Sequence, residues 1–214
     1  WYGRSYANVL KCFTRFFVQN EESKRLLESI GITDVDVVGD TRFDRVLQIK
    51  EAAKHLPICE AFRSGVAGSD SAASSEKASH PDYKVFVAGS SWPPDEEIFI
   101  RFFNEHKDWR LLIAPHVIAE EHLKLILSLL KDKKVVRYTQ TTPEEAAKAD
   151  VLIIDCFGLL SSMYNYGDVA YIGGGFGVGI HNTLEAAVWN MPVIFGPNNK
   201  KFQEAQGLLK SGGG

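Results

Sequence analysis

The chain of 214 residues lacks the features that mark several classes of protein. Its three cysteines, Cys12, Cys59 and Cys156, form no C-x-x-C pair, and an odd count of this kind fits reduced thiols in a cytosolic setting. No apolar run approaches the roughly 20 residues that cross a bilayer. The formal net charge of −3 gives no broad basic surface, so we expect no disulfide, no membrane-spanning helix and no nucleic-acid partner.

The standard nucleotide and metal motifs are also absent. No G-x-x-x-x-G-K-[ST] run exists, and the glycine-rich stretch at residues 173–179 does not match G-x-G-x-x-G and lies late in the chain. The six histidines form no H-x-x-H or H-E-x-x-H pair. Asp34-x-Asp36 matches the D-x-D pair of many sugar transferases, but it precedes a predicted strand. These absences disfavour a P-loop, an NAD site and a metal site, and we expect no cofactor.

Predicted strands and helices alternate along most of the chain. Strands of β-branched residues are predicted at 84–88, 110–114, 135–138, 151–154, 169–172 and 193–195. Helices are predicted over 44–62, 94–106, 118–131, 158–165, 181–189 and 200–210. This alternation is typical of an α/β protein with a doubly wound, Rossmann-like parallel sheet.

The first part of the chain has its own strand–helix–strand pattern. Residues 16–18 and 35–38 are predicted strands around a helix that Gly31 ends. The chain begins Trp1-Tyr2-Gly3-Arg4, without an initiator Met or a signal peptide, so we expect a fragment of a longer protein. We assign residues 1–38 to the tail and linker of a preceding domain and 39–214 to a second domain. A mobile loop is expected at 64–80, which is rich in Ser, Gly and Ala.

The glycine-rich loop after the strand at 169–172 is the strongest sign of a binding site. Five glycines in seven residues let backbone N–H groups approach an anion, and Gly174 and Gly175 are candidate contacts. Asn182 and Glu185 follow on one helix face, where the carboxylate can accept both hydroxyls of a ribose. The alternative is that Asn182 caps this helix with Glu185 as its capping-box partner.

Four other loops follow strands of the predicted sheet and belong at the same edge, where open α/β sheets bind ligands. Each candidate also has a structural interpretation, such as helix capping near Ser90 and Ser91, a surface His116, or an N-cap at Asp155. Arg42, at the domain boundary, can reach a phosphate or sugar carboxylate, or form a salt bridge with Asp40 or Asp44. Besides the residues of the glycine loop and its helix, the candidate contacts are Ser90, Ser91, Pro115, His116, Phe157, Gly158 and Arg42.

The order of these motifs resembles the lipid A transferases of Kdo (3-deoxy-D-manno-octulosonic acid). The resemblance runs over nearly the whole chain, although no single motif is specific. It rests on residues 17–23 (FVQNEES), 39–44 (GDTRFD), 88–91 (AGSS), Gly158, 173–174, 181–187 (HNTLEAA) and 191–197 (MPVIFGP). The chain departs from the family pattern at His116, where members often have Arg, and at Leu159, where they often have Glu.

The resemblance implies the C-terminal, donor-binding half of a two-domain GT-B glycosyltransferase. It implies transfer of Kdo from CMP-Kdo to a lipid A precursor, with inversion and without a metal, at the cytoplasmic face of the bacterial inner membrane. Pro115, His116, Phe157, Gly158, Asn182 and Glu185 match donor-binding positions of the family. The general base, the acceptor site and a peripheral membrane attachment belong to the other half, so this chain alone is expected to be inactive.

Two other functions fit the same residues. One is a UDP-sugar enzyme of the same fold, either a transferase or a 2-epimerase. The other is a non-catalytic module that binds a sugar nucleotide.

Overall fold

A computed structural model describes residues 2–40, 42–65, 83–177 and 179–214 of the chain. The chain divides into two compact units, Trp1–Leu47 and Gln48–Gly214. This division falls later in the chain than the boundary expected after residue 38, and the assignment of the first segment to a preceding domain stays a prediction. Residues 66–80, most of the expected mobile loop, lie outside the described residues, and Ser64 is the last residue of a helix.

The first unit contains the predicted strand–helix–strand arrangement. Its elements are α1 (Tyr2–Leu10), β1 (Phe16–Val18), α2 (Glu21–Ser29) and β2 (Val35–Val37), and the two strands pair in parallel. Asn20 caps α2, because its side chain accepts a hydrogen bond from the Ser23 backbone N–H at 2.8 Å. Helix α1 has no counterpart in the sequence-based prediction.

The second unit is built on a six-stranded sheet in which every pair of neighbouring strands is parallel. Its strands are β3 (Lys84–Ser91), β4 (Trp109–Pro115), β5 (Val135–Arg137), β6 (Val151–Ile153), β7 (Val169–Ile172) and β8 (Val193–Phe195), in the spatial order β5-β6-β4-β3-β7-β8. The predicted α/β fold with a doubly wound parallel sheet is confirmed. All six strand predictions have their counterpart in this sheet.

The helices cover both faces of the sheet, as a buried parallel sheet requires. They are α4 (Pro57–Ser64), α5 (Pro93–Glu105), α6 (Glu120–Leu129), α7 (Pro143–Ala146), α8 (Leu160–Met163), α9 (Leu184–Ala187) and α10 (Gln203–Ser211). Helix α3 (Arg42–Glu51) includes residues of both units. Alternation along β3 shows the two faces: Val85 and Val87 join one buried cluster, and Phe86 and Ala88 join the other.

Three helix predictions differ from the structure. The helix predicted over 44–62 is two helices, α3 and α4, and Pro57 begins the second because its fixed φ suits a first helical turn. Helices α8 and α9 are a single turn each, shorter than the predicted 158–165 and 181–189. After α8 the chain tightens into a 3-10 turn at Tyr164–Tyr166, whose two tyrosines are buried.

The strand order reverses at β3. The chain builds β4, β5 and β6 on one side of β3 and then crosses to β7 and β8 on the other side. Loops after β3, β4 and β7 therefore meet at the carboxyl edge around this point, which is where open α/β sheets hold their ligands.

Candidate functional site

A groove of about 220 Å³ opens at the carboxyl edge of the second unit's sheet. The loops after β3, β4 and β6 form it, and five predicted contact residues line it. These are Ser90, Pro115, His116, Phe157 and Gly158. Ala114, Ile118, Ile154, Cys156 and Leu160 complete a lining that is mainly apolar, as the lining of a pocket for a planar base is expected to be.

Ser90 and Ser91 end the central strand but face different surroundings. Ser90 lies at a bulge between β3 and β4 and has a φ of 53°, which is rare for a residue with a side chain. Ser91 is fully buried, and its hydroxyl donates to the Glu96 carboxylate at 2.7 Å. The Ser91 side chain therefore lies in the interior, and only Ser90 of the pair lines the groove.

Three aromatic rings bring together the loops after β3, β4 and β7. The His116 ring stacks on Trp92 and on His181, with 4.5 Å between ring centroids in both cases. The Trp92 indole N–H donates to Nε2 of His181 at 3.2 Å. Because Nε2 accepts this hydrogen bond, the proton of the neutral His181 ring lies on Nδ1. We call Trp92, His116 and His181 the ring stack.

Asn182 and Glu185 are joined through their side chains. The Asn182 amide donates to Oε1 of Glu185 at 3.1 Å, and the Ser161 hydroxyl donates to Oε2 at 2.9 Å. Asn182 accepts from the Leu184 backbone N–H at 3.1 Å, so it does help to begin α9. Glu185 contacts the Asn182 amide group, whereas a capping box would join it to the Asn182 backbone N–H. Each carboxylate oxygen keeps a second lone pair for another donor.

The glycine-rich loop uses many of its own N–H groups internally. The N–H of Gly174 donates to Asp95 at 2.9 Å, and those of Gly177 and Gly179 both donate to the Gly174 carbonyl. Gly174 lies in a second, smaller pocket of about 110 Å³ with Trp92, Pro94, Asp95, Phe176 and Gly177. Gly175, Asn182 and Glu185 are not among the lining residues of either pocket.

The loop after β8 supports the glycine loop, although we expected it to line the same crevice. A Cβ on Gly175 would lie 2.5 Å from the backbone nitrogen of Gly196. The Asn198 N–H also donates to the Gly175 carbonyl at 2.9 Å. Gly175 and Gly196 are glycines because two backbone segments touch there, and anion binding is not needed to explain them.

Two carboxylates in the first turn of α5 are buried, and only Asp95 contacts the glycine-rich loop, a role that was not predicted from sequence. Asp95 accepts hydrogen bonds from the backbone N–H groups of Trp92 and Gly174 and from the Tyr171 hydroxyl. Glu96 accepts from Ser91 and pairs with His122 Nε2 at 2.8 Å. Burial raises the pKa of Glu96, while its bonds to Ser91 and His122 oppose that rise. Acidic residues in the first turn of a helix are usually interpreted as helix caps. The contacts of Asp95 with Tyr171 and Gly174, which are distant in sequence, could therefore not be predicted from the sequence.

Comparison with known proteins finds Kdo transferases among the relatives of this chain. No family model matches the chain. It is 25% identical to the 3-deoxy-D-manno-octulosonic acid transferase of Rickettsia prowazekii over 216 residues, which is 97% of this chain and 42% of the relative. It is 33% identical to the enzyme of the same name from Aquifex aeolicus over 135 residues, which is 61% of this chain and 36% of the relative. The predicted resemblance to the Kdo transferases is confirmed.

A solved structure agrees with the fold. The C-terminal CMP-Kdo binding domain of WaaA from Acinetobacter baumannii superposes with a TM-score of 0.51 at 17% identity, covering 79% of this chain and 77% of that domain. The similarity at this identity concerns the fold. This chain spans about two fifths of the length of the Rickettsia and Aquifex Kdo transferases.

Arg42 lies in the first unit, where its side chain pairs with Asp40. Its guanidinium lies 2.6 Å from the Asp40 carboxylate, and its backbone N–H donates to the same group at 2.9 Å. The bond to Arg42 holds the pKa of Asp40 below its usual value. The structure therefore has the salt bridge that was the alternative to a phosphate contact, and a role of Arg42 towards a Kdo donor stays a prediction.

Within the described ranges, no three His, Cys, Asp or Glu side chains gather closely enough to hold a metal ion. None of the helices in those ranges combines the length and the apolar composition that a membrane crossing requires.

We expect His181 to titrate below the usual histidine pKa of about 6.5. Burial lowers its pKa most and His116 lowers it further, whereas Asp95 and Glu185 oppose the shift. The unfolded chain therefore binds this proton more tightly than the folded one. His181 contributes to stability above the unfolded-state pKa, and the contribution is lost as the pH falls through the lower pKa of the folded state. Trp92→Phe removes the donor to Nε2 and should raise the pKa of His181, as measured by NMR titration.

An unchanged His181 pKa in the Trp92→Phe variant would contradict the indole hydrogen bond. The matched control is Trp109→Phe, since Trp109 packs near Phe86 and Phe102 at the start of β4. That variant should leave the His181 titration where it is in the unmodified chain.

Proposed function

We propose that this chain is the donor-binding half of a Kdo transferase and that it binds CMP-Kdo. The observation that carries the proposal is the groove beside β3, the strand at which the order reverses, lined by residues that match donor-binding positions of the family. The fold shared with a CMP-Kdo binding domain supports it. The proposal includes no cofactor besides this donor substrate.

The groove and its neighbours suggest a place for each part of the nucleotide. The cytosine ring suits the apolar groove, between the 83% exposed Phe157 ring and the loop of Pro115 and His116. The ribose hydroxyls suit Glu185, whose carboxylate is half-buried and keeps acceptor capacity. The phosphate suits the ring stack, where the Nδ1–H of His181 is a neutral donor.

The proposed transfer breaks the bond between the anomeric carbon of Kdo and the CMP phosphate oxygen. Charge develops on that oxygen as CMP departs, and N–H donors fixed before the reaction stabilise it better than mobile water does. The acceptor hydroxyl of a lipid A precursor attacks the opposite face with inversion, after a carboxylate base in the other half of the enzyme takes its proton. No metal takes part in the proposed step.

The full-length enzyme is proposed to act at the cytoplasmic face of the bacterial inner membrane, through a peripheral attachment in its other half. The chain described here would then bind the donor without turnover, because the base and the acceptor site lie elsewhere.

Calorimetric titration of CMP, UMP and UDP tests the choice of donor. We expect CMP to bind at least about tenfold more tightly than UMP, a difference of about 1.4 kcal/mol. A preference for UDP would overturn the CMP-Kdo proposal in favour of a UDP-sugar enzyme.

Phe157→Ala should weaken CMP binding while leaving the melting temperature unchanged, because this ring is largely exposed. Ile194→Ala, at another exposed apolar residue, is the control.

A further inference from the structure

Asp95 is the point at which the loops after β3 and β7 are tied together. Its side chain is 1% exposed and lies in the first turn of α5. Oδ1 accepts from the Tyr171 hydroxyl at 2.7 Å. Oδ2 accepts from the N–H of Gly174 at 2.9 Å and from the N–H of Trp92 at 3.0 Å. One carboxylate therefore accepts from three donors at three places in the sequence, and its bonds to Tyr171 and Gly174 are buried.

We infer that Asp95 is a positioning residue of the donor site, holding the Trp92 backbone and the glycine loop so that the ring stack forms; this rests on the proposed function. Trp92 is fixed at its backbone by Asp95 and donates through its indole to His181. His181 stacks on His116, which lines the groove. Asp95 makes none of these ring contacts itself and does not line the groove proposed for the base.

The hydrogen-bond geometry predicts which substitutions Asp95 tolerates. Asparagine can keep its carbonyl oxygen on the two backbone donors and turn its NH₂ group to Tyr171, whose hydroxyl can accept as well as donate. Alanine leaves the buried N–H of Gly174 and the part-buried N–H of Trp92 without that acceptor, which a fold avoids by moving the backbone. A positioning role therefore survives Asp95→Asn and is lost in Asp95→Ala.

Glu96 provides a matched control on the same helical turn. It is as deeply buried as Asp95, but its hydrogen bonds go to Ser91 and His122, whereas those of Asp95 go to Trp92, Gly174 and Tyr171. Substitution of Glu96 therefore removes a carboxylate that is as deeply buried as that of Asp95, and it leaves the hydrogen bonds of Trp92 and Gly174 in place.

The test combines CMP titration with the NMR signal of the Trp92 indole N–H in the ligand-free chain. We expect Asp95→Ala to weaken CMP binding about tenfold or more and to shift that signal, while Asp95→Asn stays within about threefold and keeps it. Glu96→Ala and Glu96→Gln should stay within about threefold. Asp95→Ser is the second truncated variant if Asp95→Ala does not fold, and it should behave as Asp95→Ala does.

The outcomes separate this inference from the proposed function. Unchanged CMP affinity in both truncated variants, an equal loss in Asp95→Asn, or an equal loss in Glu96→Ala would overturn the positioning role. If the unmodified chain binds no CMP, the proposed function fails. The indole signal then still decides whether Asp95 sets the ring stack, because it is read without ligand.

Discussion

Gly173→Ala should destabilise the Gln48–Gly214 unit by about 3 kcal/mol or more, because the new methyl group meets backbone on the neighbouring strand. A Cβ at this position would lie 2.1 Å from the Ser90 carbonyl oxygen and 2.6 Å from the Ser91 Cα. Gly173 cannot move aside easily, since its N–H donates to the Gly89 carbonyl and its own carbonyl accepts from His181. Urea denaturation measures the free energy of unfolding directly.

Gly177→Ala is the control within the same loop. Apart from its chain neighbours, no atom of the described residues lies within 4 Å of a Cβ built at Gly177, and its φ is not in the left-handed region. We expect the free energy of unfolding of this variant to lie within about 0.5 kcal/mol of that of the unmodified chain. If Gly173→Ala and Gly177→Ala have the same denaturation midpoint, the close approach of the β7 loop to the end of β3 is wrong.

This contrast bears on how the glycine-rich motif should be interpreted. From sequence, five glycines in seven residues indicate an anion-binding loop. In the structure, Gly173 and Gly175 are glycines because other backbone segments touch them, and the N–H of Gly174 binds Asp95. The motif does follow β7, next to the reversal of strand order, but packing accounts for much of its composition.

The sequence predicted the sheet well because parallel strands are buried on both faces and so consist of apolar, β-branched residues. It predicted the short helices less well. Helix α9 is one turn long and ends at Ala187, yet residues 181–189 have an ordinary helical pattern. The chain leaves the helix there because Asn190 turns with a φ of 57° into β8, a tertiary requirement that no local propensity shows.

The candidate site shows the same division between local and distant information. Residues directly after strands could be named from topology alone, and five of them line the groove. The bond between Trp92 and His181 joins residues 89 positions apart, and the bond between Asp95 and Gly174 joins residues 79 positions apart. A single sequence contains no signal for such pairs, so the ring stack and the contacts of Asp95 could be identified only from the structure.

Glu185→Ala should weaken CMP binding about tenfold to one hundredfold while changing the binding of 2′-deoxy-CMP much less. Hydrogen bonds to a charged group contribute about 1.5–3 kcal/mol, and each 1.4 kcal/mol is a factor of ten in affinity. The expectation depends on the remaining lone pairs of the Glu185 carboxylate, whose other contacts are Asn182 and Ser161. Calorimetry with the two nucleotides measures the difference without any enzymatic turnover.

The comparison of the two nucleotides distinguishes a ribose contact of Glu185 from a purely structural role of this residue. If Glu185 only held the start of α9 in place, its removal would weaken CMP and 2′-deoxy-CMP equally, and the ribose contact would be wrong. Glu121→Ala, at an exposed glutamate in the first turn of α6, removes the same charge and should leave both affinities unchanged. A selective loss for CMP would mean that the carboxylate recognises the ribose 2′-hydroxyl, and the donor would then be a ribonucleotide sugar held by the first turn of α9.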